Sequence, residues 1–375
     1  MHVLVFLTFG ISLQDWEKSG SLERELLLYR NIHKKYNIRF TFVSFGDEED
    51  ELLSGEFNVI PYYKYNRQLK SRFRTLVQSI FFSLKIKSLV GETDLIKTNQ
   101  LFGSWMAIIF KIKNKKPLFI RTGYDLYQFS KKEKKNIFIK IFYFILTQIS
   151  ILYANIYTVT SQSDINFIKE NFYFSKNKIL LVPNWVNQNP YEKLTNMNSR
   201  YENRILAVGR LEKQKNFHEL IKLFSGSSLQ IDIAGSGSQK KALREAADLY
   251  NVNVNFIGNL SHDELMNEYQ KYRIYVSTSL YEGNPKSTLE AMGSGCLVIV
   301  SNITNNYEIV LNNEDGLLHE YHDLVSLVNN HIKNIEILET FFLRAYKKIS
   351  NNNSLDFISQ KEVNLYMSLL GKKIL

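Results

Sequence analysis

Residues 204–224 read RILAVGRLEKQKNFHELIKLF. RILAVG is a short apolar run of strand length, GRLEKQKN is a charged loop entered through Gly209, and NFHELIKLF carries apolar side chains at helical spacing. A strand, a loop and a helix in that order form the first part of a doubly wound unit, and the pattern continues downstream. LQIDIAG at 229–235, VNVNFIG at 252–258, RIYVSTS at 273–279 and CLVIVS at 296–301 are further strands, with helical patterns between them. Upstream, VLVFLTF at 3–9 leads into an amphipathic helix from about Leu22 to Lys35. IRFTFVSF (38–45), NVIPYY (58–63), DLIKT (94–98), PLFIRT (117–122), NIYTVTS (155–161) and KILLVP (178–183) follow. Short apolar strands alternating with helices predict parallel sheets covered on both faces. The polar stretch VPNWVNQNPYEKLTNMNSRYENR separates the two series, so the fold class is α/β, with two Rossmann-like domains expected at 1–187 and 188–355.

A chain of 375 residues is long enough for two cores. Hydrophobic residues make up 45%, prolines number 5, and 25 phenylalanines and 22 tyrosines supply packing, a composition that excludes a disordered chain. The single cysteine, Cys296, opens an apolar run and reads as a small buried hydrophobe, and the absence of a disulfide framework points to a reducing cytoplasm. Met1–Phe9 lacks a basic leader and a cleavage site, so it reads as a first strand and not as a signal peptide. Net charge is unevenly spread. Residues 1–190 hold 27 Lys and Arg against 16 Asp and Glu, and residues 191–375 hold 20 against 21. The basic first half is expected to meet something anionic.

The strand 204–209 ends at Gly209, which puts Arg210 at a strand's carboxyl end just before a helix, with Lys215 in the same loop. Open α/β sheets bind ligands there, and helix N-termini favour anions. Asn216 and Glu219 are predicted to form a capping box on the helix that follows. Gly235 and Gly237 in GSGSQKKAL are expected to let backbone amides approach a phosphate or base, and Ser261 with Glu264 predicts a second capping box. In YEGNPKSTLEAMGSG (281–295), Asn284 is predicted to cap a helix with Pro285 at its first position. That leaves the amides of Lys286 and Ser287 facing a ligand. Glu282 then lies in the loop before the helix and Glu290 one to two turns inside it. Ionised carboxylates accept hydrogen bonds from sugar hydroxyls, so the pair suits a hexose and a ribose on either side of a diphosphate held by Arg210 and Lys215.

VGRLEKQKN, IAGSG, FIGNL, SLYEGNPKSTLEAMGSG and DGLL occur in this order between Ile205 and Leu318. In this the chain resembles glycosyltransferase family four, whose members have the GT-B fold of two Rossmann-like domains facing a cleft. The resemblance implies metal-independent transfer of a sugar from a nucleotide sugar, with retention of anomeric configuration. It implies that Arg210 and Lys215 bind the donor diphosphate, that Glu282 contacts the transferred sugar and Glu290 the ribose, and that the amides from Gly283 through Asn284, Pro285, Lys286 and Ser287 assist. Gly10, Gly209, Gly235 and Gly237 join the donor-binding set. No metal and no cofactor are implied, and a UDP sugar is the expected donor by frequency within the family. The tail from Asp356 to Leu375 is expected to cross back and pack on the first domain.

Over residues 1–190 the resemblance rests on strand order, Gly10 after the first strand, TVTSQSDINFIKE and VPNWV. Relatives often carry a histidine after the strand that PLFIRT matches. Here the chain reads RTGYD, and Arg121, Tyr124 and Asp125 stand as sugar-site candidates or as packing residues. Basic clusters at KYNRQLKSRFR (64–74), KIKNKK (111–116) and KKEKK (131–135) suggest docking on an anionic membrane surface. IFIKIFYFILTQISILYA, from Ile137, is interrupted by Lys140 and Gln148 and reads as a buried or partly membrane-facing helix in preference to a span. The leading expectation is a glycosyltransferase at the cytoplasmic face of the membrane. It would take a nucleotide-sugar donor and a lipid-linked or oligosaccharide acceptor for cell-surface polysaccharide or glycolipid synthesis. The alternatives are a sugar-nucleotide epimerase, a phosphorylase, or a catalytically silent nucleotide-sugar-binding subunit. Nucleic acid is not an expected partner, because no nucleic-acid module is present and the strong motifs lie in the neutral half.

Overall fold

The computed structural model describes residues 1–173, 178–189 and 191–372. Pro190 of the polar stretch and residues 373–375 of the expected terminal helix lie outside that set. The chain divides into two compact units, Met1–Pro183 with Ser359–Leu375, and Asn184–Ile358.

The first unit is built on a parallel sheet of β1 (His2–Phe6), β2 (Arg39–Ser44), β3 (Asn58–Pro61), β4 (Leu95–Thr98), β5 (Leu118–Arg121), β6 (Ile156–Val159) and β7 (Ile179–Leu181). The strands lie in the order β3-β2-β1-β4-β5-β6-β7. The second unit holds β8 (Arg204–Val208), β9 (Gln230–Ala234), β10 (Val254–Gly258), β11 (Ile274–Ser277), β12 (Leu297–Ser301) and β13 (Leu317–His319). Their order is β10-β9-β8-β11-β12-β13. Both orders reverse direction once, next to the unit's first strand, which is the Rossmann arrangement. The segments read as strands in the sequence are all strands in the structure. β13 is an addition, three residues at a sheet edge and too short to show a pattern.

Strand alternation divides the second core into two layers. Ile205, Ala207, Ile231, Ile233, Val276 and Ile299 meet helices on one face. Leu206, Val208, Tyr275, Val298 and Val300 meet helices on the other. With both faces covered, these strands have no polar side, which is why the sequence shows continuous apolar runs.

Ser359, Glu362 and Tyr366 fall at helical spacing on the Leu355–Leu369 helix; Ser359 meets the Leu22–Tyr36 helix, and Glu362 and Tyr366 pack on the first sheet. Asn31 Nδ2 donates to Ser359 Oγ at 2.9 Å. Tyr366 meets Phe119 edge-on, with ring centroids 5.4 Å apart. Glu362 pairs with Lys97 of β4, both fully buried, and also accepts from the Tyr366 hydroxyl.

Candidate nucleotide-sugar site

The reversal point of the second sheet lies between β8 and β11, where Tyr275 pairs with Leu206. Residues 209–216 follow β8 and residues 278–287 follow β11, so adjacency of the two strands brings Arg210, Lys215 and Glu282 together from segments about seventy residues apart. Backbone and side-chain bonds tie the two loops. Leu280 N donates to Gln214 O at 2.9 Å, and Thr278 Oγ1 lies 3.2 Å from Lys215 O and 3.1 Å from Asn216 O.

Lys215 Nζ sits 2.5 Å from Glu282 Oε1, with the two side chains 13% and 8% exposed. Burial by itself lowers the Lys215 pKa, but the Glu282 carboxylate and Tyr275 more than offset this and hold it above the ordinary lysine value. Arg210 is exposed, and its Nη2 donates to Gln214 Oε1 at 3.2 Å. Gln214 Nε2 donates to Tyr281 O at 2.9 Å and lies 3.5 Å from Glu282 Oε2. Gln214 thus connects the exposed Arg210 guanidinium to the paired Glu282 carboxylate. Sequence reading passed over it, although an amide able both to donate and to accept is suited to join groups of opposite charge.

The Lys286–Gly293 helix begins after Pro285 with no side-chain capping bond. Asn284 does not cap it, contrary to the prediction, and Pro285 is the cap residue and not the first helical position. Asn284 Oδ1 instead accepts from Asn184 N at 3.0 Å, and Asn184 Nδ2 donates to Asn284 O at 2.7 Å. That partner is a hundred residues away in sequence and leaves no local signal. Lys286 Nζ stands 5.1 Å from the Trp185 ring centroid. Ser287 Oγ accepts from Tyr275 at 3.1 Å. Glu290 is buried within the helix, 3.4 Å from the Tyr269 hydroxyl. Asn216 also departs from its predicted role. It adopts a left-handed conformation (φ 53°) between a 3₁₀ turn and the Phe217–Leu223 helix and makes no side-chain capping bond. The Ser261–Glu264 capping box forms as expected.

Close approach of backbone explains two of the glycines. A Cβ on Gly235 would fall on the carbonyl oxygen of Gly209, and one on Gly237 would lie 2.5 Å from Leu211 O. Both glycines therefore let the loop after β9 lie against the loop after β8, where Leu211 N donates to Ser236 O at 2.8 Å. A Cβ on Gly209 would meet the Lys215 side chain, so this glycine leaves the lysine its path to Glu282. Gly283 is buried between Glu282 and Asn284.

Gly10 belongs to the first unit, where it is exposed with φ 79° after β1. In the RTGYD segment Arg121 is buried and Tyr124 is exposed beside Phe129. Asp125 is 1% exposed and caps the Leu126–Lys132 helix, its Oδ1 accepting from Gln128 N at 2.7 Å. Burial pushes its carboxyl up to about 7, with Asp164 adding to the shift. Of these three candidates, only Tyr124 offers its side chain to solvent.

Two parallel Rossmann-like units, each with a single reversal point in its strand order, define the GT-B fold. The comparisons agree. Anabaena HepE, solved in complex with UDP, superposes with a TM-score of 0.76 at 17% identity over 98% of this chain and all of that one. Residues 196–353 match the family described as glycosyl transferases group 1. It is 29% identical to the Escherichia coli UDP-Gal:alpha-D-GlcNAc-diphosphoundecaprenol alpha-1,3-galactosyltransferase over 55% of this chain and 58% of that protein. It is 25% identical to the Erwinia amylovora amylovoran biosynthesis glycosyltransferase AmsD over 86% of each. The chain spans about half the length of several curated relatives that it matches.

Proposed function

We propose that the chain is a retaining glycosyltransferase that moves a sugar from a UDP sugar to a membrane-linked glycan acceptor at the cytoplasmic face, in cell-surface polysaccharide or glycolipid synthesis. The observation that carries this reading is the Lys215–Glu282 pair with Arg210 beside it, at the carboxyl ends of β8 and β11. An ammonium has three donors, so Lys215 can hold Glu282 and still reach a diphosphate oxygen. Arg210, exposed and fork-shaped, takes a second. Fixed cations aimed at the leaving diphosphate stabilise its developing charge without a metal ion. The bond between the anomeric carbon and the diphosphate oxygen breaks, the acceptor oxygen bonds to that carbon on the same face, and the acceptor's proton passes to the leaving phosphate oxygen. Glu282 orients the sugar, Glu290 takes the ribose, and the amides from Gly283 to Ser287 complete the cradle.

The names of the relatives support the choice of substrates: a UDP-galactose donor and a diphosphoundecaprenol acceptor for the Escherichia coli enzyme, and UDP bound by HepE. Among the described residues no helix is long and apolar enough to cross a membrane, so contact with a lipid-linked acceptor would be peripheral. The test is nucleoside diphosphate release from a panel of nucleotide sugars, with and without bacterial lipid extract. Release that requires the extract is the expected result. Donor binding without turnover across the panel would point to a silent subunit instead.

A further inference from the structure

Two helices of the first unit bury hydroxyls beside a few apolar side chains, Phe82 on one and Leu146 and Ile151 on the other, and turn a larger apolar set outward. A helix on the surface of a water-soluble domain turns apolar residues inward and polar residues out. In the Arg72–Ser83 helix the buried side chains include Thr75, Ser79 and Ser83, while Phe73, 74% exposed, stands outside with Val77, Phe81 and the following Leu84. The buried hydroxyls satisfy themselves locally: Ser83 Oγ donates to Ser79 O at 2.7 Å, and Ser79 Oγ to Leu76 O at 2.6 Å. The Ile137–Tyr153 helix repeats the arrangement. Thr147 and Ser150 are fully buried, whereas Phe138, 80% exposed, is joined on the outside by Ile137, Ile141, Ile145, Ile149 and Leu152. At 3.6 residues per turn these six positions occupy a single face, within an arc of roughly 120°.

Both helices pack on the same neighbour, Ser104–Asn114. Trp105 Nε1 donates to Ser79 Oγ at 2.9 Å on one side, and the Ser104 and Ser150 hydroxyls lie 2.8 Å apart on the other. Lysines of that central helix close the far ends, Lys113 Nζ on Leu84 O at 2.6 Å and Lys111 Nζ on Tyr153 O at 2.5 Å. Apart from Glu92, which pairs with Lys87, and Glu133, which pairs with Lys135, the charges around the apolar faces are positive. No aspartate or glutamate occurs from Phe57 to Gly91 or from Lys134 to Ser163, and Arg67, Lys70, Arg72, Arg74, Lys85 and Lys87 are exposed.

We propose that the outward faces of Arg72–Ser83 and Ile137–Tyr153 insert side by side into the outer part of an anionic lipid bilayer, with the flanking arginines and lysines on its headgroups. An apolar face rimmed by cations fits that surface, and such helices lie in the interface plane without crossing it. A second copy of the chain fits poorly, because a two-fold contact through this face would set one cationic rim against the other. The inference rests on the membrane-linked acceptor proposed above, and it names the surface that brings the chain to that acceptor.

The experiment uses the full chain and flotation with vesicles of phosphatidylglycerol and phosphatidylcholine, with neither donor nor acceptor present. The wild type is expected to float with the mixed vesicles. Phe138→Glu/Ile141→Glu/Ile145→Glu, and separately Phe73→Glu/Phe81→Glu, should each lower the bound fraction about ten-fold or more. UDP binding and melting temperature should be unchanged, which shows that the variants are folded. Vesicle binding equal to wild type in both variants overturns the proposal. So does binding lost on Arg72→Glu/Arg74→Glu but kept in the apolar variants, which would mean headgroup attraction without insertion. A wild-type dimer that the apolar variants turn into monomers, with no vesicle binding by any form, would assign the face to a second copy. Transfer to a soluble acceptor is read separately, so a chain that docks and transfers nothing sinks the functional reading alone.

Discussion

Each unit holds a lysine–glutamate pair drawn from distant parts of the chain, and the two pairs sit in different surroundings. Lys97 and Glu362 are fully buried, with the Lys97 ammonium 4.6 Å from the Tyr29 ring centroid and near Phe119 and Tyr366. Burial wins there, and the Lys97 pKa is lowered in spite of Glu362. Lys215 and Glu282 keep an opening to solvent next to exposed Arg210, and the Lys215 pKa is raised. The first pair is sealed by aromatic rings and fastens the returning helix to β4. The second lies at the mouth of the strands, where a ligand can share the lysine. Position within a strand under a covering helix, as against a loop beyond the strand's carboxyl end, and not the chemistry of the pair, sets the two apart.

The largest effect that would break this comparison is on stability. Glu362→Ala leaves a buried ammonium without its partner and should cost about 3–5 kcal/mol in chemical denaturation. An unchanged midpoint would remove the anchor. Glu282→Ala should instead lower nucleoside diphosphate release by roughly 10²–10³-fold, the scale of losing a preorganised electrostatic contact. Gln214→Ala sharpens the contrast on a smaller scale. Donor KM should rise roughly three- to ten-fold, as expected for one hydrogen-bonded positioning contact, with the melting temperature in place.

The last effect is a pH dependence in the first unit. The Asp125 carboxyl is pushed up to about 7, whereas an unfolded aspartate titrates near 3.9. Between those values the native chain holds a proton that the unfolded chain releases, so this group makes stability fall as pH rises, with the full penalty above about 7. Asp125→Asn keeps the acceptor for Gln128 N and removes the charge. Its melting temperature should exceed the wild type's at pH 8 and approach it toward pH 4. Parallel curves would show that Asp125 carries no such load.

The strands were legible in the sequence because strands buried on both faces are apolar at most positions, and the meeting of Arg210, Lys215 and Glu282 was legible because their loops follow adjacent strands. What was not legible depends on partners far away in sequence or on the direction a face points. Asn284 looked like a cap because caps are local, but Asn184 holds it from a hundred residues upstream. Asn216 has the right residue type for a cap and uses its tolerance of the left-handed region instead. The apolar run after Ile137 was visible as composition. That Thr147, Ser150 and Phe144 turn inward while Phe138 and Phe142 turn outward was decided by packing within the first unit.

The most direct test of the donor site is the affinity for UDP of the wild type and of Arg210→Ala, measured by calorimetry at fixed salt. Arg210 is exposed, so its loss is not confounded with unfolding. The account predicts micromolar-range binding by the wild type and affinity weaker by about ten-fold or more in the variant, the worth of one charge-assisted contact to phosphate. Equal affinity in the two proteins, or no UDP binding by a folded wild type, would contradict it.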